Sequence, residues 1–309
     1  SLNIEEKRMS ILNFLLIIPK EKLLIDADIK GPGKAVGPYF DETPLKDSLG
    51  ATLQELQLDG DVNARLHLDI PLNGELVTAK GEVTLRNNSL FIKPLDSTLK
   101  NLSGKFSFIN GDLQSEPLTA SWFNQPLNVD FSTKEGAKAY QVAVNLNGNW
   151  QPAKTGVLPE AVNEALSGSV AWDGKVGIDL PYHADATYNV ELNGDLKNVS
   201  SHLPSPLAKP AGEPLPVNVK VDGNLNSFEL TGQAGADNHF NSRWLLGQKL
   251  TLDRAIWAAD SKTLPPLPEQ SGVELNMPPM NGAGWLALFQ KGAAESVGGA
   301  ASFPARVHR

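Results

Sequence analysis

The fold is decided by the stretch 61–72, which reads Asp61-Val62-Asn63-Ala64-Arg65-Leu66-His67-Leu68-Asp69-Ile70-Pro71-Leu72. Apolar residues alternate in it with polar or turn-forming residues without an exception. Successive side chains of a β-strand point to opposite faces, so the stretch predicts a strand with one apolar and one polar face. The alternation recurs along most of the chain, which predicts an all-β protein.

Further segments show the same period of two and predict additional strands. They are Val77–Leu85, Leu127–Phe131, Tyr140–Leu146, Val170–Leu180, Tyr188–Leu196, Val217–Leu225 and Phe228–Leu230. Helical periodicity is confined to short segments. These are Pro44–Leu49, Leu158–Leu166 and Trp285–Lys291.

Composition excludes several classes of function. The chain has 309 residues, enough for one large or two smaller β domains. Its net charge of −8 argues against nucleic acid as a partner, because phosphate binding needs an excess of Lys and Arg. The absence of cysteine excludes disulfides and thiolate metal sites. The apolar segment Ile11–Ile18 spans about 12 Å as a helix, too short for a bilayer, and is interpreted as a first strand or an irregular chain start.

A short motif, apolar–Asx–Gly–Asx–apolar, occurs five times. Its copies are centred on Gly60, Gly111, Gly148, Gly194 and Gly223. An Asx-Gly pair is typical of a hairpin turn, and a three-residue loop keeps the two faces consistent at each copy except Gly111. The alternative is a continuous strand with glycine on its apolar face, where the missing side chain leaves room for another group. Hairpins are the favoured interpretation.

No motif for catalysis or metal binding withstands inspection. The segment Gly168–Lys175 resembles a phosphate loop but has one residue too many, and Val176 replaces the metal-binding Ser or Thr. Ser97-Thr98-Leu99-Lys100 matches the serine–lysine tetrad, which four loosely specified positions do by chance. The five histidines are scattered, without metal-ligand spacing. The prediction is therefore no catalytic residue, no metal and no cofactor.

A broad one-sided sheet has two ways to accommodate its apolar face. A dozen strands at about 4.8 Å each make a sheet on the order of 60 Å wide, which curls, closes or splits. A β-sandwich packs apolar face against apolar face. A curled sheet that does not close leaves an apolar trough, which suits an apolar ligand. Periodicity alone leaves both open.

Several segments carry a family resemblance that extends from about residue 35 to 303. They are 58–72, Gly81-Glu82-Val83-Thr84-Leu85, Leu102-Ser103-Gly104-Lys105-Phe106, Phe123-Asn124-Gln125-Pro126-Leu127 and Met277-Pro278-Pro279-Met280-Asn281-Gly282. In these segments the chain resembles the AsmA-like family of Gram-negative envelope proteins. The resemblance implies an elongated β-groove, anchored in the inner membrane, that carries phospholipid across the periplasm to the outer membrane. The family's transmembrane helix is absent here, so contacts with both membranes would come from parts missing from this chain.

We therefore expect an elongated, curled antiparallel β-sheet that forms an open hydrophobic groove. The expected organisation is an uncertain N-terminal segment 1–34, groove repeats 35–202, a proline-rich linker or edge crossing 203–216, further repeats 217–303 and a tail 304–309. Strand parity gives the residues expected to contact phospholipid acyl chains. These are Val62, Leu66, Leu68, Ile70, Val142, Val144, Val190, Leu192, Val219 and Val221.

The alternative function is a β-sandwich module that binds glycans or an envelope protein. It would use the six tryptophans as flat platforms for sugar rings. Most of them fall in the alternating pattern, where core or groove lining is the plainer interpretation.

Overall fold

A computed structural model of the chain describes residues 10–17, 21–35, 56–93, 97–156, 158, 160–247, 250–276, 282–287 and 305–308. The strands in these ranges are β1 (Ser10–Ile17), β2 (Lys22–Pro32), β3 (Leu56–Asp59), β4 (Asp61–Pro71), β5 (Thr78–Ile92), β6 (Ser97–Ile109), β7 (Asp112–Ser115), β8 (Leu118–Trp122), β9 (Gln125–Glu135), β10 (Ala139–Trp150), β11 (Leu166–Gly168), β12 (Val170–Pro181), β13 (Thr187–Asp195), β14 (Val199–Ser201), β15 (Pro216–Asn224), β16 (Ser227–Ala234), β17 (Asn238–Leu246), β18 (Leu250–Ala258), β19 (Gly272–Asn276) and β20 (Ala305–His308).

Helices are few and short in the same ranges. Helix α1 is Glu160–Asn163, a second helix covers 282–287, and single 3₁₀ turns occupy Gly33–Ala35, Pro152–Lys154 and Leu196–Asn198. The predicted all-β class is confirmed, and each predicted strand overlaps an observed one. The helix predicted at Pro44–Leu49 lies outside the described residues.

Eighteen of these strands belong to one hydrogen-bonded sheet, and β11 with β14 forms a separate ladder. The described strand registers are antiparallel except β18 with β19 and β19 with β20, which are parallel. The chain divides into two compact units. The first unit comprises residues 1–122, 126–146 and 179–184, and the second comprises 123–125, 147–178 and 185–309.

In the first unit the strands pair in the order β1, β2, β4, β5 and β6. Strand β3, which precedes β4 in the chain, also pairs with β5. Gly60 forms the bend between β3 and β4 and has φ of 93°. The buried Asn88 amide spans this bend, because its Nδ2 donates to the carbonyl oxygens of Asp59 at 3.0 Å and Asp61 at 3.1 Å. Gly60 is therefore a bend between two strands that both pair with β5, and the predicted hairpin there is wrong.

The polar face of the first unit carries cross-strand ion pairs. Register places Asp28 opposite Arg65, and Arg65 opposite Glu82. Lys105 Nζ lies 2.8 Å from Glu82 Oε1, and this hydrogen bond lowers the pKa of the Glu82 carboxyl. Exposed pairs of this kind stabilise little, but they keep this face in water. The opposite face is consequently the apolar one.

In the second unit the strands pair in the order β13, β15, β16, β17, β18, β19 and β20. The proline-rich loop 259–271 leads from β18 to the parallel strand β19. It packs on the polar face, where Asn241 Nδ2 donates to Pro265 O at 3.1 Å and Arg254 Nη1 donates to Pro268 O at 3.1 Å. Its hydrogen bonds hold the loop away from the apolar face.

The Asx-Gly motif produces a hairpin where parity argued against one. Gly148, Gly194 and Gly223 lie inside β10, β13 and β15, which continue through them. At Asn110-Gly111 a two-residue loop joins β6 and β7, and Asn110 has φ of 52°. This shorter loop places Phe108 opposite Leu113, which removes the mismatch of a three-residue loop. Three-residue hairpins were thus wrong at these copies, and the continuous-strand alternative is correct at Gly148 and Gly194. At Gly223 the hairpin to β16 turns just after the motif, because Gly223 still pairs with Phe228.

Tyr140 fastens β10 to the β6–β7 hairpin. Its ring is fully buried, and its hydroxyl donates to Gly111 O at 2.8 Å and lies 2.7 Å from Thr133 Oγ1. Burial raises the pKa of Tyr140 from 10.0 to about 12. The neutral phenol is thus part of the packed first unit.

This raised pKa predicts a loss of stability at high pH. Between pH 10 and about 12 the unfolded chain has lost the Tyr140 proton while the folded chain keeps it, so the free energy of unfolding should fall. Two pKa units correspond to up to about 3 kcal/mol. Urea unfolding of wild type and of Tyr140→Phe at pH 8, 10 and 11.5 measures it. The variant should lack this component and should cost about 1–2 kcal/mol at pH 8. An equal pH slope in both proteins would contradict the assignment.

Candidate functional site: the apolar sheet faces

Apolar side chains of the second unit form rows across neighbouring strands. Register places Val190 opposite Val221, which lies opposite Leu230, and places Leu192 opposite Val219. The structure therefore brings four of the predicted contact residues together as two direct cross-strand pairs. The second-unit face is defined by Tyr188, Val190, Leu192, Val219, Val221, Phe228, Leu230, Phe240, Trp244 and Trp257.

These side chains are only half-buried. Every residue that defines the second-unit face keeps intermediate exposure. The fully buried apolar residues described in this unit lie elsewhere, at Ala161, Val199, Leu203, Ala258 and Ala259. A β-sandwich would bury the central Val and Leu pairs against a second sheet. The described residues instead leave this face partly open to solvent.

The first unit has a comparable apolar face on β2, β4 and β5. Leu66, Leu68 and Ile70 are half-buried there, and register places Leu68 opposite Ile25 of β2. Val62, near the start of the same strand, differs because it is buried. The first-unit face is defined by Leu23, Ile25, Ala27, Ala64, Leu66, Leu68, Ile70, Ala79 and Val83.

The other two predicted contact residues lie on β10. Val142 and Val144 are half-buried and alternate with exposed residues, as parity predicts. Both belong to the first unit. Whether any predicted residue touches a ligand stays a prediction.

Glycines keep the large side chains flat against the second-unit face. A Cβ added at Gly232 would overlap the ring of Phe240 directly opposite on β17. One added at Gly223 would lie 2.7 Å from the Tyr188 ring, and one at Gly174 would lie 2.6 Å from Leu192. Each large side chain therefore lies across a glycine and does not stand upright from the sheet. At Gly223 the Asx-Gly motif indicated such a glycine through the continuous-strand alternative, whereas Gly232 and Gly174 lie outside the five copies of the motif.

Trp150, Trp172 and Trp244 pack against other aromatic rings. Trp150 and Trp172 meet edge to face with ring centroids 4.9 Å apart. Phe228 and Trp244 stack at 6.0 Å, and Trp244 Nε1 donates to Ser242 Oγ at 3.0 Å. A sugar platform needs a free ring face, and in Trp244 the stacked ring of Phe228 already covers one face. Groove lining is the interpretation that this packing favours.

The structure locates the two sequence motifs that resembled a catalytic tetrad and a phosphate loop. Ser97 and Lys100 are three residues apart on β6, so their side chains point to opposite faces, and Ser97 Oγ accepts a hydrogen bond from Trp122 Nε1 at 2.7 Å. The segment 168–175 continues from β11 into β12 and does not precede a helix. Within the ranges that the structure describes, no three His, Asp or Glu side chains are grouped as a metal site.

Comparison with known proteins identifies the family. The family model described as YhdP protein matches residues 2–309. The chain belongs to the YhdP family. It is 95% identical over 298 residues to the intermembrane phospholipid transporter YhdP of Escherichia coli (strain K12), an alignment that covers 96% of this chain and 24% of that relative. The chain thus spans about a quarter of the curated relative's length. No solved structure gives a significant match.

Because the match extends over nearly the whole chain, the AsmA-like resemblance inferred from shorter segments is confirmed. The half-exposed apolar faces of both units accordingly belong to a member of the YhdP family. The relative is about four times as long as this chain.

The ring-on-glycine packing predicts the effect of adding one methyl group. In Gly232→Ala the Phe240 ring must leave its position, which should cost about 1–3 kcal/mol of unfolding free energy. Adding Phe240→Ala should remove the clash, so the two changes should be strongly non-additive. Gly282→Ala is the control, since nothing lies within 4 Å of a Cβ there. Additive effects of the two substitutions in urea unfolding would contradict the packing.

Proposed function

We propose that this chain is one segment of a longer carrier that holds phospholipid acyl chains on its apolar sheet faces between two membranes. The observation that carries the proposal is the second-unit face, whose Val and Leu side chains align across strands but stay half-exposed. The similarity to the E. coli relative, which is named as an intermembrane phospholipid transporter, supports the same ligand.

Energetics favour an acyl chain on such a face. Each methylene removed from water contributes about 0.8 kcal/mol, so an acyl chain contributes on the order of 10 kcal/mol before ordering costs. Apart from the buried Ser242, which lies opposite Leu230, the side chains along the face are aliphatic or aromatic, so neighbouring positions offer similar contacts. A lipid can therefore shift along the face without breaking any strong directional bond. No covalent chemistry is needed for that movement, and we propose no enzymatic role.

The proposed location is the periplasm, within a parent protein anchored in the inner membrane. The word intermembrane in the relative's name supports a site between two membranes of a Gram-negative cell. Contacts with the membranes themselves would be made by parts of the longer protein. None of the helices that the structure describes has the length and hydropathy needed to span a membrane.

A charge on the second-unit face should separate lipid binding from folding. Val221 is half-buried and pairs with Val190 and Leu230. In Val221→Asp the carboxylate can reach water in the empty protein, so unfolding free energy should fall by only about 1–2 kcal/mol. Against acyl methylenes the same charge is desolvated, so bound lipid should fall at least about tenfold.

Native mass spectrometry and lipid extraction of the purified 309-residue chain measure the bound phospholipid. Thr231→Asp is the matched control, since Thr231 lies on the same sheet, faces the polar side and is paired with Lys220. The control should retain wild-type lipid. Unfolding of Val221→Asp together with lipid-free wild type would contradict the proposal and indicate a sealed core.

A further inference from the structure

Exposure rises from one end to the other along two neighbouring strands of the first-unit face. On β4 it runs from 2% at Val62, through half-buried Leu66 and Leu68, to 60% at Leu72 just beyond the strand. On β5 it runs in the opposite chain direction, from 4% at Leu85 to 50% at Val77. Because the strands are antiparallel and Val62 pairs with Leu85, both gradients point the same way. The face thus has one closed end and one open end.

The closed end is filled by the protein's own side chains. Leu102, Leu118 and Leu127 are buried in the first unit, as are Val62 and Leu85. Gly104, opposite Leu85, packs directly against Leu118. A phosphate group has no access to water there, and burying its charge without a partner would be very costly.

The open end is formed by the β4–β5 loop 72–77. Leu76 in this loop is 92% exposed and Leu72 and Val77 are also exposed. Parity places Leu72 and Val77 on the same side as Ile70 and Ala79, so they extend the apolar face towards water. The loop contains a single charged residue, Glu75. Apolar surface therefore extends to the loop end of β4 and β5, where it meets water.

The half-exposed stretch between these ends suits one acyl chain. Leu66 and Leu72 are six residues apart on an extended strand, which corresponds to about 20 Å. One leaflet of a bilayer has a hydrocarbon depth of about 15 Å. The half-exposed stretch is consequently long enough for the tail of an ordinary phospholipid, with its terminal methyl group near the closed end.

From this gradient we infer that a phospholipid on the first-unit face is oriented along the strands. Its acyl termini point towards Val62 and Leu85, and its head group projects past the 72–77 loop into water. Leu72, Leu76 and Val77 cover the methylenes nearest the glycerol. The inference rests on the proposed function and adds to it the end of the strands at which the lipid head group lies.

Two photoreactive phosphatidylcholines test the orientation on the complete 309-residue chain. One carries a diazirine at the acyl terminus and the other carries it on the head group. After loading and irradiation, mass spectrometry maps the labelled peptides of the first unit. The head-group probe should label 72–77, and the acyl probe should label positions around Leu66 and its partner Gly81, on the side of Val62 and Leu85.

Reversed labelling would overturn the orientation, and so would equal labelling of both ends by each probe. Lipid detected by native mass spectrometry without labelling of the first unit would also overturn it, while leaving the proposed function intact. Absence of any bound lipid would defeat both.

Substitution of the loop gives an independent readout. In Leu72→Ser with Leu76→Ser, lipid should leave about three- to tenfold faster, because less apolar surface covers its upper methylenes. Leu264→Ser is the matched control, since Leu264 is an exposed leucine in a loop of the second unit. Circular dichroism should show the same strand content in all three proteins. A release rate equal to that of the control would count against the head group lying at the 72–77 loop.

Discussion

The structure depends on a conflict between strand geometry and the hydrophobic effect. A period of two sends the apolar side chains of every strand to one face, and that face gains free energy when it leaves water. Within each unit, the described residues meet this need only in part. They seal the end of the first-unit face at Val62 and Leu85 and leave Leu66, Leu68 and the second-unit pairs half-exposed. The part left open is what an apolar ligand would fill.

Other features of the fold keep that face shallow and accessible. Phe240 lies across Gly232 and Leu192 across Gly174, so bulky side chains do not project into the space above the sheet. The proline-rich loop 259–271 forms its hydrogen bonds on the polar side through Asn241 and Arg254. A sheet that binds an apolar ligand on one face needs this difference between its two faces, because a loop or an upright ring on the apolar side would obstruct the ligand.

Alternation alone predicted the strands and the face on which each side chain lies. Val190, Leu192, Val219 and Val221 were assigned to one face before their register was known, and they form direct pairs. Alternation could not predict how deeply each residue of a strand is buried. Val62 and Leu68 lie on the same face of β4, but only Val62 is fully buried. The motif glycines were misread since a turn and a straight strand obey the same parity. Deciding between them requires the partner strand, which local sequence does not contain.

Side-chain accessibility at the paired positions tests the central claim most directly. The chain has no cysteine, so Leu192→Cys or Val219→Cys can each carry a single nitroxide label. Electron paramagnetic resonance then measures collisions with oxygen and with a polar nickel chelate. An open face predicts access for both reagents in delipidated protein, and loss of nickel access with retained oxygen access once phospholipid is bound. A label inaccessible to both reagents in the delipidated protein would show a sealed core and contradict the account.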